Sequence, residues 1–256
     1  MIDYFVIGHD PKLYADKPNF AYRFLQVGMG ANDNSKAIVC HKLHNNIEQY
    51  PNLCSFTGWY AIASNNLCDQ DSVCLLEYDT IAHPNIHANN IKLLTENKSN
   101  TIIAYSNTLT NHYVFTKSTP WLELSLKKIH NIDLDRFVHE YGPKFPLWPT
   151  TTNMTLSMGI LKHFVDWFKP MTDLFKYDPL GAYVHERAFF VFCVLHNLNI
   201  IFALNLVQHK QKRSHNINDI YGSFLKSKNT NYLSDHMKYE YDILYNNTLR
   251  HIIRLS

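Results

Sequence analysis

The sequence predicts an α/β protein with a mixed, mostly parallel central sheet flanked by helices and a helical C-terminal part. Three observations lead there. In the front half, short apolar runs that fit strands alternate with segments of helical period, as in chains built around a parallel sheet. After "YGPKFPLWPTTTN" (141–153), a three-proline stretch read as a loop, helical patterns dominate. Between them, the apolar run Val73–Leu76 ends in two carboxylates, Glu77 and Asp79. In parallel sheets ligands bind beyond the carboxyl ends of the strands, so an acid pair there marks a candidate site.

The elements follow in chain order. "DYFVIG" (3–8) is an opening strand closed by a polar turn at His9, Asp10 and Pro11. "RFLQVGMG" (23–30) is a second strand, and "KAIVCHKLHNNIEQY" is ambiguous between helix and strand. "FTGWYAIASNN" (56–66) spaces Trp59, Ile62 and Ala63 for one helix face. The acid-ended strand spans 73–79, and "NTIIAYS" (100–106) and "HYVFTK" (112–117) are further strand candidates. "PWLELSLKKIHN" (120–131) opens with proline in its first turn and has a helical period. In the back half, "MGILKHFVDWF" (158–168) is an amphipathic helix stopped by Pro170. "AYVHERAFFVFCVLHN" (182–197) is another helix, entered through Pro179 and Gly181. "NIIFALNLVQ" (199–208) is a strand, "HKQKRSH" (209–215) a basic loop, and 232–255 a helix.

Composition excludes several classes. With 46% apolar and 18% charged residues over 256 positions, the chain can bury a core and is not disordered. A net charge of +2 is too small for a protein that coats nucleic acid, so no nucleic-acid partner is expected. The most apolar stretch, 188–207, carries His196, Asn197 and Asn199 at its centre, which a membrane helix should not, so no transmembrane segment is expected. Five cysteines without a C-x-x-C fit a reduced, cytoplasmic setting. The N-terminus lacks a basic leader and is not expected to act as a signal peptide.

Period-2 geometry would put Glu77 and Asp79 on one strand face, where they repel unless a cation sits between them. Hard divalent cations prefer carboxylate oxygens and are held with substrate phosphates, so the pair could carry a metal–diphosphate complex. The plainer reading is two solvated acids at a strand end with an arginine neighbour.

The segments "YFVIGHD", "FLQVGMG", "NNIEQYPNLCSFTGWYAIASNN" and "VCLLEYD", then "TNMTLSMGILKHFVDWF" and "YVHERAFFVFCVLHN", resemble in order a family of predicted glycosyltransferases of capsular-polysaccharide biosynthesis. The resemblance covers roughly residues 3–197. "EYD" is similar to the D-x-D region of nucleotide-sugar glycosyltransferases with a GT-A, Rossmann-like fold, whereas many relatives carry a basic "HYRR"-like sequence there.

The resemblance implies a single GT-A-like domain over 1–256, with a nucleotide-sugar half (1–140), an acceptor half (141–215) and a helical tail (216–256). It implies Mn²⁺ or Mg²⁺ on Asp79, helped by Glu77 and a histidine such as His209, with His215 as the other choice. A UDP- or GDP-sugar donor would meet His9 and Asp10, its diphosphate clamped by Lys210, Lys212 and Arg213. Glu186 of "HERAFF" would be the base toward a glycan acceptor, against the alternative of an acid favoured in a first helical turn beside Arg187. Trp148, Thr150 and Asn153 would face the acceptor, with Trp148 stacking on a sugar. Trp59, Trp121 and Trp167 are expected in the core, and Asp166 on a solvated face. Two other readings remain: a metal-dependent phosphohydrolase or nucleotidyltransferase using the same acids with Asp69 and Asp71, and a non-catalytic sugar-binding module.

Overall fold

The structure is a computed structural model describing residues 1–14, 20–28, 36–97, 99–109, 120–150, 152–178, 181–210 and 230–255. Its strands are β1 (Ile2–Gly8), β2 (Arg23–Gln26), β3 (Ala37–Val39), β4 (Ser72–Glu77), β5 (Thr80–Ala82), β6 (Thr101–Ala104), β7 (Asn107–Leu109), β8 (Leu147–Pro149), β9 (Met154–Ser157), β10 (Asn199–Phe202) and β11 (Val207–His209). Its α-helices are α1 (Ser55–Ser64), α2 (Ile86–Glu96), α3 (Pro120–His130), α4 (Leu134–Tyr141), α5 (Met158–Thr172), α6 (Gly181–Leu195) and α7 (Asp235–Leu255).

Seven strands form the main sheet in the order β10-β6-β9-β4-β1-β2-β3. Adjacent pairs are parallel except at β9, which runs antiparallel to both β4 and β6. The mostly parallel sheet expected from the sequence is therefore present, with one reversed strand near its middle. That reversal matters for the site. Residues just before β9 emerge at the same edge as residues just after β4.

The inner strands are buried on both faces, which is why they read as continuous apolar runs. Phe5, Ile7, Val73 and Leu75 face one core, with Phe56, Trp59, Phe164, Phe168, Phe189 and Phe190 of α1, α5 and α6. Tyr4, Val6, Cys74 and Leu76 alternate to the other face, with Ile86 of α2. The tail helix α7 packs on α3, where the rings of Trp121 and Tyr241 lie 4.1 Å apart and Lys128 pairs with Glu240. Trp59 and Trp121 are buried as expected, and Trp167 stacks on His130 at 4.1 Å.

The structure departs from the sequence reading in several places. The segment 141–153 is not all loop: Leu147–Pro149 pairs antiparallel with Asn107–Leu109. Pro170 does not stop α5, which runs to Thr172. The proline falls in the last turn, where its missing N–H forfeits one bond, and Thr172 Oγ1 donates to Lys169 O at 2.7 Å. The stretch 199–208 is two strands, because Leu206 N–H turns back to Ala203 O and sends β11 to pair with β5 instead of β6. The ambiguous segment from Lys36 holds the short strand β3 and a 3₁₀ turn at Cys40–Lys42. The strand expected at 112–117 lies outside the described residues.

Candidate metal centre

Strand β4 ends at Glu77, so Asp79 does not share a strand face with it by period 2. The chain instead turns through Tyr78 and Asp79, closed by Thr80 Oγ1 donating to Glu77 O at 2.6 Å. The turn then enters β5, which pairs with β11 in the register Thr80↔His209. Lys210 N–H donates to Asp79 O at 2.9 Å, extending that pairing by one step. The turn and the ribbon together deliver what the strand alone would not. One ligand atom from each of Glu77, Asp79 and His209 falls within 4.8 Å of the other two.

Asp79 and His209 are largely shielded, at 18% and 22% side-chain exposure, with Asp79 Oδ1 3.7 Å from His209 Nδ1. That distance is too long for a hydrogen bond, and His209 Nδ1 makes none among the described residues although solvent does not reach it. A shielded imidazole nitrogen facing two carboxylates fits a divalent cation. Among the described residues, Glu77, Asp79 and His209 are the group that could hold a divalent cation.

Glu77 falls in the alternation of Val73 and Leu75, on the side of α1 and α6. Its carboxylate accepts from Thr152 Oγ1 at 2.9 Å and from Asn153 Nδ2 at 3.2 Å, and its N–H donates to Asn153 Oδ1 at 2.7 Å. Cys54 opens α1 with a positive φ of 45°. Although Cys54 is exposed, the desolvation of its thiol by the surrounding protein pushes it up, and the negative charges of Glu77 and Glu186 push further. The half-buried Glu186 of α6 thus stands within electrostatic range of the same thiol as Glu77.

The remaining sequence candidates divide. His9 is exposed beyond β1 and meets Tyr78 edge-on at 5.0 Å between ring centroids. Gln26 Nε2 fixes that strand end by donating to His9 O at 3.1 Å. Asp10 caps the 3₁₀ turn that follows, accepting from Lys12 N–H at 2.9 Å. Lys210 Nζ reaches Tyr78 O at 3.4 Å. Arg213, Lys212 and His215 lie outside the described residues. Asp166 is exposed, as expected.

Trp148 does not offer a face to a sugar. It is 2% exposed, covered by the Arg187 guanidinium at 5.5 Å, because β8 turns it into the core. Asn153 is engaged with Glu77 in place of the expected contact with an acceptor. Thr152 and Cys54 are site-edge residues that the sequence reading did not single out. Their only sequence signal is position: one sits just before the reversed strand, the other just before a helix that follows the β3 region.

No family model matches the chain, and no curated protein matches it in sequence. Among solved structures, it is similar to the apo structure of the WbbM bifunctional glycosyltransferase, with a TM-score of 0.58 at 13% identity. The match covers 82% of this chain and 45% of that one, so the chain spans under half the length of its structural neighbour. The chain thus shares with that glycosyltransferase its fold, here a mixed α/β architecture with a mostly parallel central sheet flanked by helices.

Proposed function

We propose that the chain is a metal-dependent glycosyltransferase, moving a sugar from a nucleoside-diphosphate donor to a hydroxyl of a glycan. The observation that carries this reading is the convergence of Glu77, Asp79 and His209 at the carboxyl edge of a sheet whose fold is shared with a glycosyltransferase. A bound divalent cation would supply charge neutralisation to the leaving diphosphate. An imidazole in the set favours Mn²⁺ over Mg²⁺, because nitrogen ligands suit transition ions.

In this reading the donor lies over the ends of β1 and β4, with His9 and Asp10 toward the nucleoside and Lys210 toward the diphosphate. The division into a donor half (1–140), an acceptor half (141–215) and a tail belongs to the same proposal. Glu186 takes the proton of the acceptor hydroxyl as that oxygen bonds to the anomeric carbon and the nucleoside diphosphate departs, the step an inverting transfer needs.

A phosphohydrolase or nucleotidyltransferase would need more carboxylates at the cluster. Asp69 and Asp71 precede β4, whose six residues put them roughly 20 Å from its far end.

Two measurements test the proposal. Thermal-shift titration with UDP, GDP and CMP in the presence of Mn²⁺ should show stabilisation by one nucleotide; silence with all three favours a sugar-binding module. Hydrolysis of the matching sugar nucleotide should fail in EDTA and in Asp79→Ala. Turnover without metal, or an undiminished variant, would defeat the role of Asp79.

A further inference from the structure

We infer that Asn153, with Thr152, is a positioning pair that holds the Glu77 carboxylate in its cation-facing orientation; this rests on the metal-centre reading above. Glu77 has one more rotatable bond than Asp79 and has to be fixed from outside. The fixing groups are all on one neighbouring segment. Thr152 Oγ1 donates to Oε1 at 2.9 Å and Asn153 Nδ2 to Oε2 at 3.2 Å, so each carboxylate oxygen receives one donor. A carboxylate oxygen has two lone-pair directions, which leaves each oxygen one for a cation. Asn153 Oδ1 takes the Glu77 N–H at 2.7 Å, so a single amide grips both the backbone and the side chain of Glu77.

The grip is built into the sheet. β9 pairs with β4 in the register Leu75↔Met154, and two further steps put Glu77 opposite Thr152. Asn153 is 1% exposed, and its carbonyl accepts from Tyr105 N–H at 3.3 Å at the end of β6. Because β9 is reversed, this rigid segment meets β4 where β4 leaves the sheet. Outer hydrogen bonds of this kind orient metal ligands, and their loss weakens metal binding about 10- to 100-fold.

The test is Mn²⁺ binding, read as free Mn²⁺ by electron paramagnetic resonance during titration of the full chain. Wild type, Asn153→Ala, Thr152→Val, Glu77→Gln and the double variant Asn153→Ala/Glu77→Gln are compared, with folding checked by circular dichroism and thermal unfolding. Asn153→Ala is expected to weaken binding about 10-fold or more, and Thr152→Val, nearly unchanged in shape, by a smaller factor. In the Glu77→Gln background Asn153→Ala should cost nothing further, a coupling that a merely structural role would not produce. Should Asn153→Ala not fold, Thr152→Val against Glu77→Gln carries the same cycle. Wild-type affinity in folded Asn153→Ala and Thr152→Val, or an undiminished loss in the Glu77→Gln background, overturns the inference and leaves the metal centre standing. Absence of Mn²⁺ binding by wild type overturns the metal centre and this inference with it.

Discussion

His209 Nδ1 faces Asp79 Oδ1 at 3.7 Å, and the two residues are 130 positions apart in the chain. They meet because the turn after β4 continues into β5 and β11 returns beside it. His209→Ala should therefore weaken Mn²⁺ binding at least on the order of 10-fold, more than removal of an outer hydrogen bond on a ligand would do at its mildest. Calorimetric titration of Mn²⁺ checks this. Unchanged affinity would remove His209 from the ligand set.

Glu186 shares the neighbourhood of Cys54 with Glu77 but is outside the cation cluster. Glu186→Gln should lower kcat by roughly 10²–10⁴ while leaving Mn²⁺ and nucleotide binding intact. Loss of nucleotide binding with unchanged kcat would instead make Glu186 a donor contact.

Glu48 is 3% exposed and accepts the N–H of Gly28 at 2.5 Å, next to the end of β2. Burial raises its carboxyl above the ordinary 4.5, outweighing the Gly28 bond that lowers it. A carboxyl raised by folding favours the fold while protonated, so this contribution is complete below about 4.5 and is lost as pH rises through the folded-state value. Glu48→Gln keeps an acceptor for Gly28 and removes the titration. Its melting temperature should gain on wild type as pH increases from 4 to 8. Parallel curves would show that Glu48 does not titrate in this way.

Asn90 ties α2 to the underside of the sheet. Its amide donates to Tyr105 Oη at 2.7 Å and Thr155 Oγ1 at 3.1 Å, and these two hydroxyls lie 2.6 Å apart. Asn90→Ala strips these buried hydroxyls of a partner and should cost about 2 kcal/mol in urea unfolding. Activity at low temperature should be unaffected, since the network lies on the face away from Glu77.

Local pattern carried much of the architecture. The apolar runs at Val73–Leu76 and Ile102–Ala104 read as strands and lie inside the sheet, and the segments read as helices at α1, α3, α5 and α6 bury aromatic side chains. The sequence also pointed to Glu77, Asp79 and His209, but for a partly wrong reason. The strand stops at Glu77, and the acids converge through a turn whose geometry no two-residue period describes. Trp148 shows the opposite failure. Three prolines around it suggested an exposed loop, yet a three-residue strand pairing with Asn107–Leu109 buries it. The reversed β9 was illegible for the same reason: strand direction depends on partners distant in sequence, and "MTLS" carries no sign of it.

Gly8 closes β1 against the start of the turn at Tyr78, where a Cβ on residue 8 would fall 2.7 Å from the Cβ of Tyr78. The clash involves the first side-chain carbon, so trimming the aromatic ring would not relieve it. Tolerance to substitution is consequently lopsided. Position 78 can change its ring without disturbing this approach, whereas position 8 admits no side chain unless the two exits part and carry His9 away from Asp79.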